Sequence, residues 1–527
     1  MIDGSMQDFP LTLDQIVNHA AKWHQDAEVV TAREGRENAR ITYAGLRERA
    51  IKVSSLLAGL GVVAGDRVAT LAWNTQHHVE SWYGIMGMGV VCHTLNPRLT
   101  AVQLAWMLDQ SGARILIVSA DLLKLALDVA NDAAGLERIF VIDGEANAAH
   151  DRAKVETLEP LLATADTPVE WGKFAETAPS GLCFTSGSTG APKGVTYTHR
   201  SSFLHTLKML QADVLGAKTT DVVLPIVPLF HASAWGLPFA LPAAGSKMVL
   251  PGRQTDGASL ARLIAAEGVT IAVGVPTVFL GLCEYLEASG EKLPSLERII
   301  LGGAATPPAL MERLERDLGV LVQNSWGMTE LSPVGVFGVL SDPDRRANVS
   351  GSPAIGVDLM VADETGAPLP EQRDTEGRLH VRGAAVIDRY FGQSHSVIDS
   401  EGWFDTGDLA KIDRKGNLMI TGRSKDLIKS GGEWINPAEI EALVCELPEV
   451  SLAAVIGKAD VKWSERPLLL VELREGQEIS DQDLLGALRG RIASWWIPDS
   501  VVRLPAMPLA STGKIDKLSL RAIYSHG

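Results

Sequence analysis

Between Thr42 and Leu60, apolar residues return at Leu46, Ala50, Val53, Leu57 and Leu60, in steps of three and four. That spacing lays one apolar stripe along a helix, and Thr42, just ahead of it, is placed to cap the first turn. Further along, short apolar runs alternate with helical stretches. Residues 68–72, 114–118, 271–275 and 298–301 predict buried strands. Strands alternating with helices predict an α/β fold with mostly parallel sheets covered by helices. After Pro353 the texture changes: a turn at 363–366 and short strands at 377–381 and 416–420 sit in polar surroundings. These predict smaller β elements closing a large domain. A compact α+β tail is predicted from Ser424, with a helix near 437–447 and strands at 453–456 and 467–473. The expected division is an N-terminal domain of residues 1–423 and a C-terminal domain of 424–527.

Composition narrows this picture. A chain of 527 residues exceeds what one hydrophobic core supports, so more than one domain is expected. With 46% hydrophobic and 21% charged residues it can bury a core of real size. A net charge of −16 argues against a broad nucleic-acid-binding face. Cys92, Cys183, Cys283 and Cys445 lie at least 91 residues apart, which gives neither a zinc signature nor a disulfide framework. The first ten residues carry two Asp and no Lys or Arg, unlike a signal peptide. The uncharged run 222–246 is broken by Pro225, Pro228, Pro238 and Pro242, a poor membrane helix. A cytoplasmic protein without a transmembrane segment is expected; its oligomeric state stays open, with a homodimer among the options. Gly59, Gly61 and Ala64 match a dinucleotide fingerprint but follow a helix instead of a strand, so a plain turn is the reading.

The most informative stretch is Thr185-Ser186-Gly187-Ser188-Thr189-Gly190-Ala191-Pro192-Lys193-Gly194. Four hydroxyls, three glycines and a Lys fall in ten positions, directly after the apolar Leu182, Cys183 and Phe184. Glycines let backbone amides close on an anion, while hydroxyls and Lys add donors. No G-K-[ST] closes the loop, so it is not a Walker A motif. By composition alone a flexible surface turn is the better reading.

The company it keeps decides between them. The decapeptide resembles the phosphate-binding loop of the adenylate-forming superfamily, which comprises acyl-CoA synthetases, adenylation domains and luciferases. Further segments resemble that family's motifs in the same order: Pro228-Leu229-Phe230-His231, Gly302-Gly303-Ala304-Ala305, Trp326-Gly327-Met328-Thr329-Glu330, Trp403-Phe404-Asp405-Thr406-Gly407-Asp408, Gly422-Arg423-Ser424-Lys425-Asp426, and finally residues 508–517.

The resemblance implies an AMP-forming acid–CoA ligase. An acid with a pKa near ~4.3 is already a carboxylate at neutral pH and needs no general base. It attacks the α-phosphorus of ATP and releases pyrophosphate; the acyl-adenylate then passes its acyl group to the thiol of coenzyme A. ATP, Mg²⁺ and coenzyme A are the implied small molecules. Thr185, Ser186, Gly187, Ser188, Thr189, Gly190 and Lys193 would hold the phosphates. Gly303, Ala304, Asn324, Trp326 and Gly327 would surround adenine, Asp408 and Arg423 the ribose. Thr329 would donate to the α-phosphate, Glu330 would hold Mg²⁺, and Lys514 would bridge the acyl carboxylate and the phosphate. Trp326 stands where Tyr is more usual, so a phenolic contact is missing; Leu509 stands where a basic residue is often found.

For the second step, Lys425 falls at the family's hinge, and Lys429, Gly431, Gly432, Glu433 and Trp434 resemble the segment that lines the pantetheine tunnel as the small domain rotates. His231, Trp235 and Gly303 would border the acyl group. The stretch from Pro228 to Pro333, with Trp495-Trp496-Ile497-Pro498-Asp499, is similar to medium- and long-chain fatty acyl-CoA synthetases and to methylmercaptopropionate-CoA ligases. Neither Lys nor Arg is evident in those pocket segments, so a medium- or long-chain fatty acid or a similar apolar monocarboxylate is the expected substrate. An aryl, arylalkanoic or steroid side-chain acid fits the same reading. Loading of a carrier protein is the rival from another class, though residues 429–434 resemble the CoA-ligase version.

Overall fold

The computed structural model describes residues 3–185, 192–430, 433–510 and 513–525. The fold is α/β, a large N-terminal domain of parallel sheets and helices followed by a smaller C-terminal one. One sheet has seven strands, in the order Lys154–Thr157, Arg138–Ile142, Ile115–Ser119, Arg67–Leu71, Val91–Thr94, Pro179–Thr185 and Lys193–Thr198. Only the last joins antiparallel. The second sheet has nine strands and is parallel through its middle, where Val222–Pro225, Ile271–Gly274, Arg298–Leu301 and Leu321–Gly327 lie side by side.

The helices Asp14–Trp23, Tyr43–Gly59, Gln76–Gly87 and Leu237–Ala244 contribute to one buried core together with residues of both sheets, among them Val68, Ile115, Val223 and Ile271. Leu46, Ala50, Val53 and Leu57 are all buried, as the stripe predicts. Thr42 is the N-cap: its Oγ1 accepts from Gly45 N at 3.2 Å. Thr42→Ala should therefore cost about 1 kcal/mol of stability, read as a lower denaturant midpoint with an unchanged slope.

A four-stranded antiparallel sheet follows: Val357–Ala362, Glu376–Gly383, Phe404–Ile412 and Leu418–Arg423. The last strand starts later than predicted because Gly416, at φ 90°, closes a turn on Asp413. The tail is built on a five-stranded sheet, including the long ribbon Val450–Asp460 and Ser464–Leu473. That ribbon outruns the predicted strands because its outer end carries Lys458, Asp460, Glu465 and Arg466, polar residues that still satisfy their backbone in the ladder. The predicted helix ends at Val444. Among the described residues no helix is long and apolar enough to cross a membrane.

Candidate active site

The site lies at the carboxyl ends of the parallel strands Arg298–Leu301 and Leu321–Gly327, where open α/β sheets bind ligands. Gly302 leaves the first strand with no room for a side chain. A Cβ there would sit 2.3 Å from Ser325 Oγ and 2.8 Å from the Trp235 ring. Gly303 follows at φ 78°, and Ala304 is exposed beyond it. Trp235 owes its placement to a short run in the left-handed region: Ala232 at φ 40°, Ala234 at 48°, Trp235 at 54° and Gly236 at 75°. Left-handed non-glycine residues are strained and cluster at functional sites.

Lys514 reaches this floor from the C-terminal domain. A Cβ on Gly303 would lie 4.0 Å from Lys514 Cε, and Thr277 Oγ1 donates to Gly513 O at 3.5 Å. The loop holds itself by a bond from Ala510 N to Lys514 O at 2.6 Å. Lys514 keeps an open face toward solvent, yet protein surrounds it at longer range. Burial first, then Arg423 and Lys425, push its ammonium down to about 8, against the pull of Asp408 and Glu330. His231, also nearby, is pushed down to about 4 by burial, Lys514 and Arg98. It is a neutral imidazole at physiological pH.

Asp408 is almost wholly buried. Arg423, its cross-strand partner, presents Nε at 2.7 Å to one carboxylate oxygen, and Trp326 Nε1 donates to the other at 3.0 Å. Burial raises the Asp408 pKa, and Arg423 and the Trp326 bond oppose it. The indole at 326 thus supplies a hydrogen bond of its own, directed at Asp408. Asn324 is more committed than the sequence suggests. Its amide nitrogen lies 3.1 to 3.2 Å from the carbonyls of Arg346, Ala347 and Val349, and its Oδ1 accepts from Thr306 at 2.8 Å.

Glu330 sits in the buried turn Thr329–Leu331. Tyr390 Oη donates to its Oε1 at 2.9 Å, and Tyr197 Oη donates to the Thr329 carbonyl at 2.8 Å. No described hydrogen bond reaches Glu330 Oε2, which leaves lone pairs for a hard cation. This donor set fits Mg²⁺ held by one protein carboxylate and substrate phosphates. The Lys193 ammonium lies 4.8 Å from the centroid of the Tyr390 ring, so the strand leaving the glycine-rich loop meets the Glu330 support. Thr185 and Lys193 pair across the hairpin and bracket the loop; Ser186, Gly187, Ser188, Thr189 and Gly190 lie outside the described residues.

Sequence reasoning missed Tyr197 and Tyr390. Nothing in their spacing announces a tyrosine whose role is to orient a neighbour.

The segment around Lys429 is elsewhere on the C-terminal domain. Lys429 and Trp434 face each other across paired strands, the ammonium 5.5 Å from the indole centroid. Gly431 and Gly432 are outside the described residues, and Glu433 opens the strand Glu433–Ile435. Trp434, Trp463 and Trp495 are all well exposed. Lys425 lies in the turn Ser424–Asp426, just after the four-stranded sheet, its pKa lowered by burial.

The large α/β domain and the smaller C-terminal one that brings Lys514 to Gly303 have the fold of an adenylate-forming enzyme. The chain belongs to the AMP-binding enzyme family: residues 17–391 match that family, and residues 439–514 match the AMP-binding enzyme C-terminal domain. It is 41% identical to a 3-methylmercaptopropionyl-CoA ligase of Ruegeria pomeroyi, over 98% of each chain. It is 37% identical to a medium-chain-fatty-acid–CoA ligase of Ectopseudomonas oleovorans, over 99% of this chain and 97% of that one. Among solved structures, an anthranilate CoA ligase in complex with anthranoyl-AMP superposes with a TM-score of 0.88 at 25% identity, covering 99% of both chains.

Proposed function

We propose that this AMP-forming acid–CoA ligase acts on an apolar monocarboxylate, of the fatty-acid or 3-methylmercaptopropionate kind that its relatives' names describe. The observation that carries the catalytic reading is the arrival of Lys514 beside Gly303, within the field of Asp408 and Glu330. Adenylation brings one anion onto another, so its barrier is electrostatic and answers to placed cations and donors. Lys514 would sit between the acyl carboxylate and the α-phosphate, where negative charge builds. Mg²⁺ on Glu330 would neutralise phosphate oxygens. Asp408 and Arg423 would hold the ribose, the Gly303 floor and Trp326 the base, Thr329 the α-phosphate. His231 and Trp235 would face the acyl group.

In the second step the CoA sulfur attacks the acyl carbon, the bond to the AMP oxygen breaks, AMP leaves as the anion and the thiol proton goes to solvent. We assign the exchange of steps to rotation of residues 424–527 about Lys425, presenting Lys429 to Trp434. Exposed Trp434, Trp463 and Trp495, with Lys429 and Lys462 against two of these rings, favour a ligand with an aromatic base and phosphates on that face. A ligase needs such a ligand; a carrier-protein loader does not require the free nucleotide. Cys92, Cys283 and Cys445 are free thiols, which favours a reducing, cytoplasmic setting, and a homodimer is part of the proposal.

The test is a panel of acids of different length and ring content, with Mg·ATP and CoA, scored by pyrophosphate and AMP. Apolar monocarboxylates should lead. Absence of pyrophosphate with every acid would sink the ligase reading, and a preference for dicarboxylates would sink the substrate class.

A further inference from the structure

A buried lysine outside these motifs lies behind the segments that carry Trp235 and Gly327. The helix His199–Met209 places His205 and Lys208 three residues apart, on one face. Both are nearly inaccessible, at 1% and 4% exposure. Together they take up the backbone of Val334: Val334 N donates to His205 Nε2 at 3.2 Å, and Lys208 Nζ donates to Val334 O. No described carboxylate pairs with Lys208, so its ammonium is buried with one acceptor for three N–H groups. Burial alone holds that ammonium down to about 7.

The pair's position follows from close contacts. Trp235 covers Gly302, and its neighbour Gly236 lies so near His205 that a Cβ there would be 2.5 Å from Nδ1. On the other side, Gly327 pairs with Val334, and a Cβ on Gly327 would be 2.8 Å from the Val334 Cα. The wall carrying Trp235 and the wall carrying Gly327 therefore meet at His205, with Lys208 one helical turn on. A hydrophobic side chain would pack here without the cost of an unpaired buried charge.

We propose that His205 and Lys208 form the inner stop of the acyl site and restrict it to short acids. This deepens the ligase reading above and rests on it. A long alkyl chain would have to displace the buried ammonium and break the ties to Val334; a short acid, whether alkyl or thioether, ends before reaching them. The cost falls on the chain's far end, so it discriminates by length and not by carboxylate chemistry.

The experiment measures acid-dependent pyrophosphate release across straight-chain acids from propanoate to dodecanoate, for the wild type, Lys208→Met and His205→Ala. Wild-type kcat/KM should fall steeply with length. In Lys208→Met, of similar volume and uncharged, the ratio of decanoate to butanoate should rise about tenfold or more, the scale at which pocket contacts discriminate methylenes. Because the ratio is taken within one variant, partial misfolding cancels. An unchanged ratio in both variants, or a wild type that already prefers dodecanoate, overturns the stop while leaving the ligase intact. Silence of the wild type with every acid overturns the ligase reading instead.

Discussion

Lys514→Ala should abolish most acid-dependent pyrophosphate release, by about 10²–10³-fold, while sparing thioester formation from supplied acyl-adenylate. The size follows from position. A compact cation in a partly enclosed cleft acts on charge that appears only as carboxylate meets phosphate, so its removal is felt in the transition state of that step. The second half-reaction makes no such junction. The pH dependence carries a matching sign. The ammonium is pushed down to about 8 in the free enzyme, so kcat/KM for the acid should decline as pH rises through that value and the lysine loses its proton. In Lys514→Ala that limb should vanish. Equal loss of both half-reactions, or a wild-type pH limb that persists in the variant, would remove Lys514 from the adenylation step.

Much of this arrangement is legible in the chain because chemistry at close quarters demands particular residues. Gly302 is a glycine since Ser325 and Trp235 leave no room for a Cβ there, and Gly303 takes φ 78°, a left-handed backbone that favours glycine. Asp408 and Arg423 read as a pair, and the antiparallel register puts them opposite each other. The helix from Tyr43 and its Thr42 cap follow from periodicity alone. What the sequence hides is support at a distance. Tyr390 reaches Glu330 across 60 residues, and the Trp326 indole replaces a phenol by turning its N–H onto Asp408. Lys208 is the sharpest case. On a helix it reads as an ordinary solvated lysine, and only the packing of Val334 across 126 residues reveals a buried one. Strand ends in the tail were lost for the converse reason: polar residues in the ladder carry no apolar signal.

Lys425→Pro should leave pyrophosphate release near the wild-type rate and slow thioester formation from acyl-adenylate by about 10²-fold, the scale of a misplaced reactant. The turn Ser424–Asp426 follows directly on the last strand of the four-stranded sheet. On its near side Arg423 is bound to Asp408, and Ser424 Oγ donates to Gly407 O at 3.0 Å. On its far side Asp426 accepts from Arg521 at 2.8 Å, in the last helix, whose Lys517 pairs with Glu441 at 2.7 Å. The rotation proposed above would be absorbed between these anchors, at Lys425. Contacts across the joint include Asn436, which donates to Thr421 O at 2.6 Å, and Thr277, which meets Gly513. Proline locks φ near −65° and removes the backbone N–H, so it lets the present arrangement, with Lys514 at Gly303, persist while denying the alternative. A small domain that did not turn would show both half-reactions falling together, or neither, and Trp434 would then have no path to the adenylate.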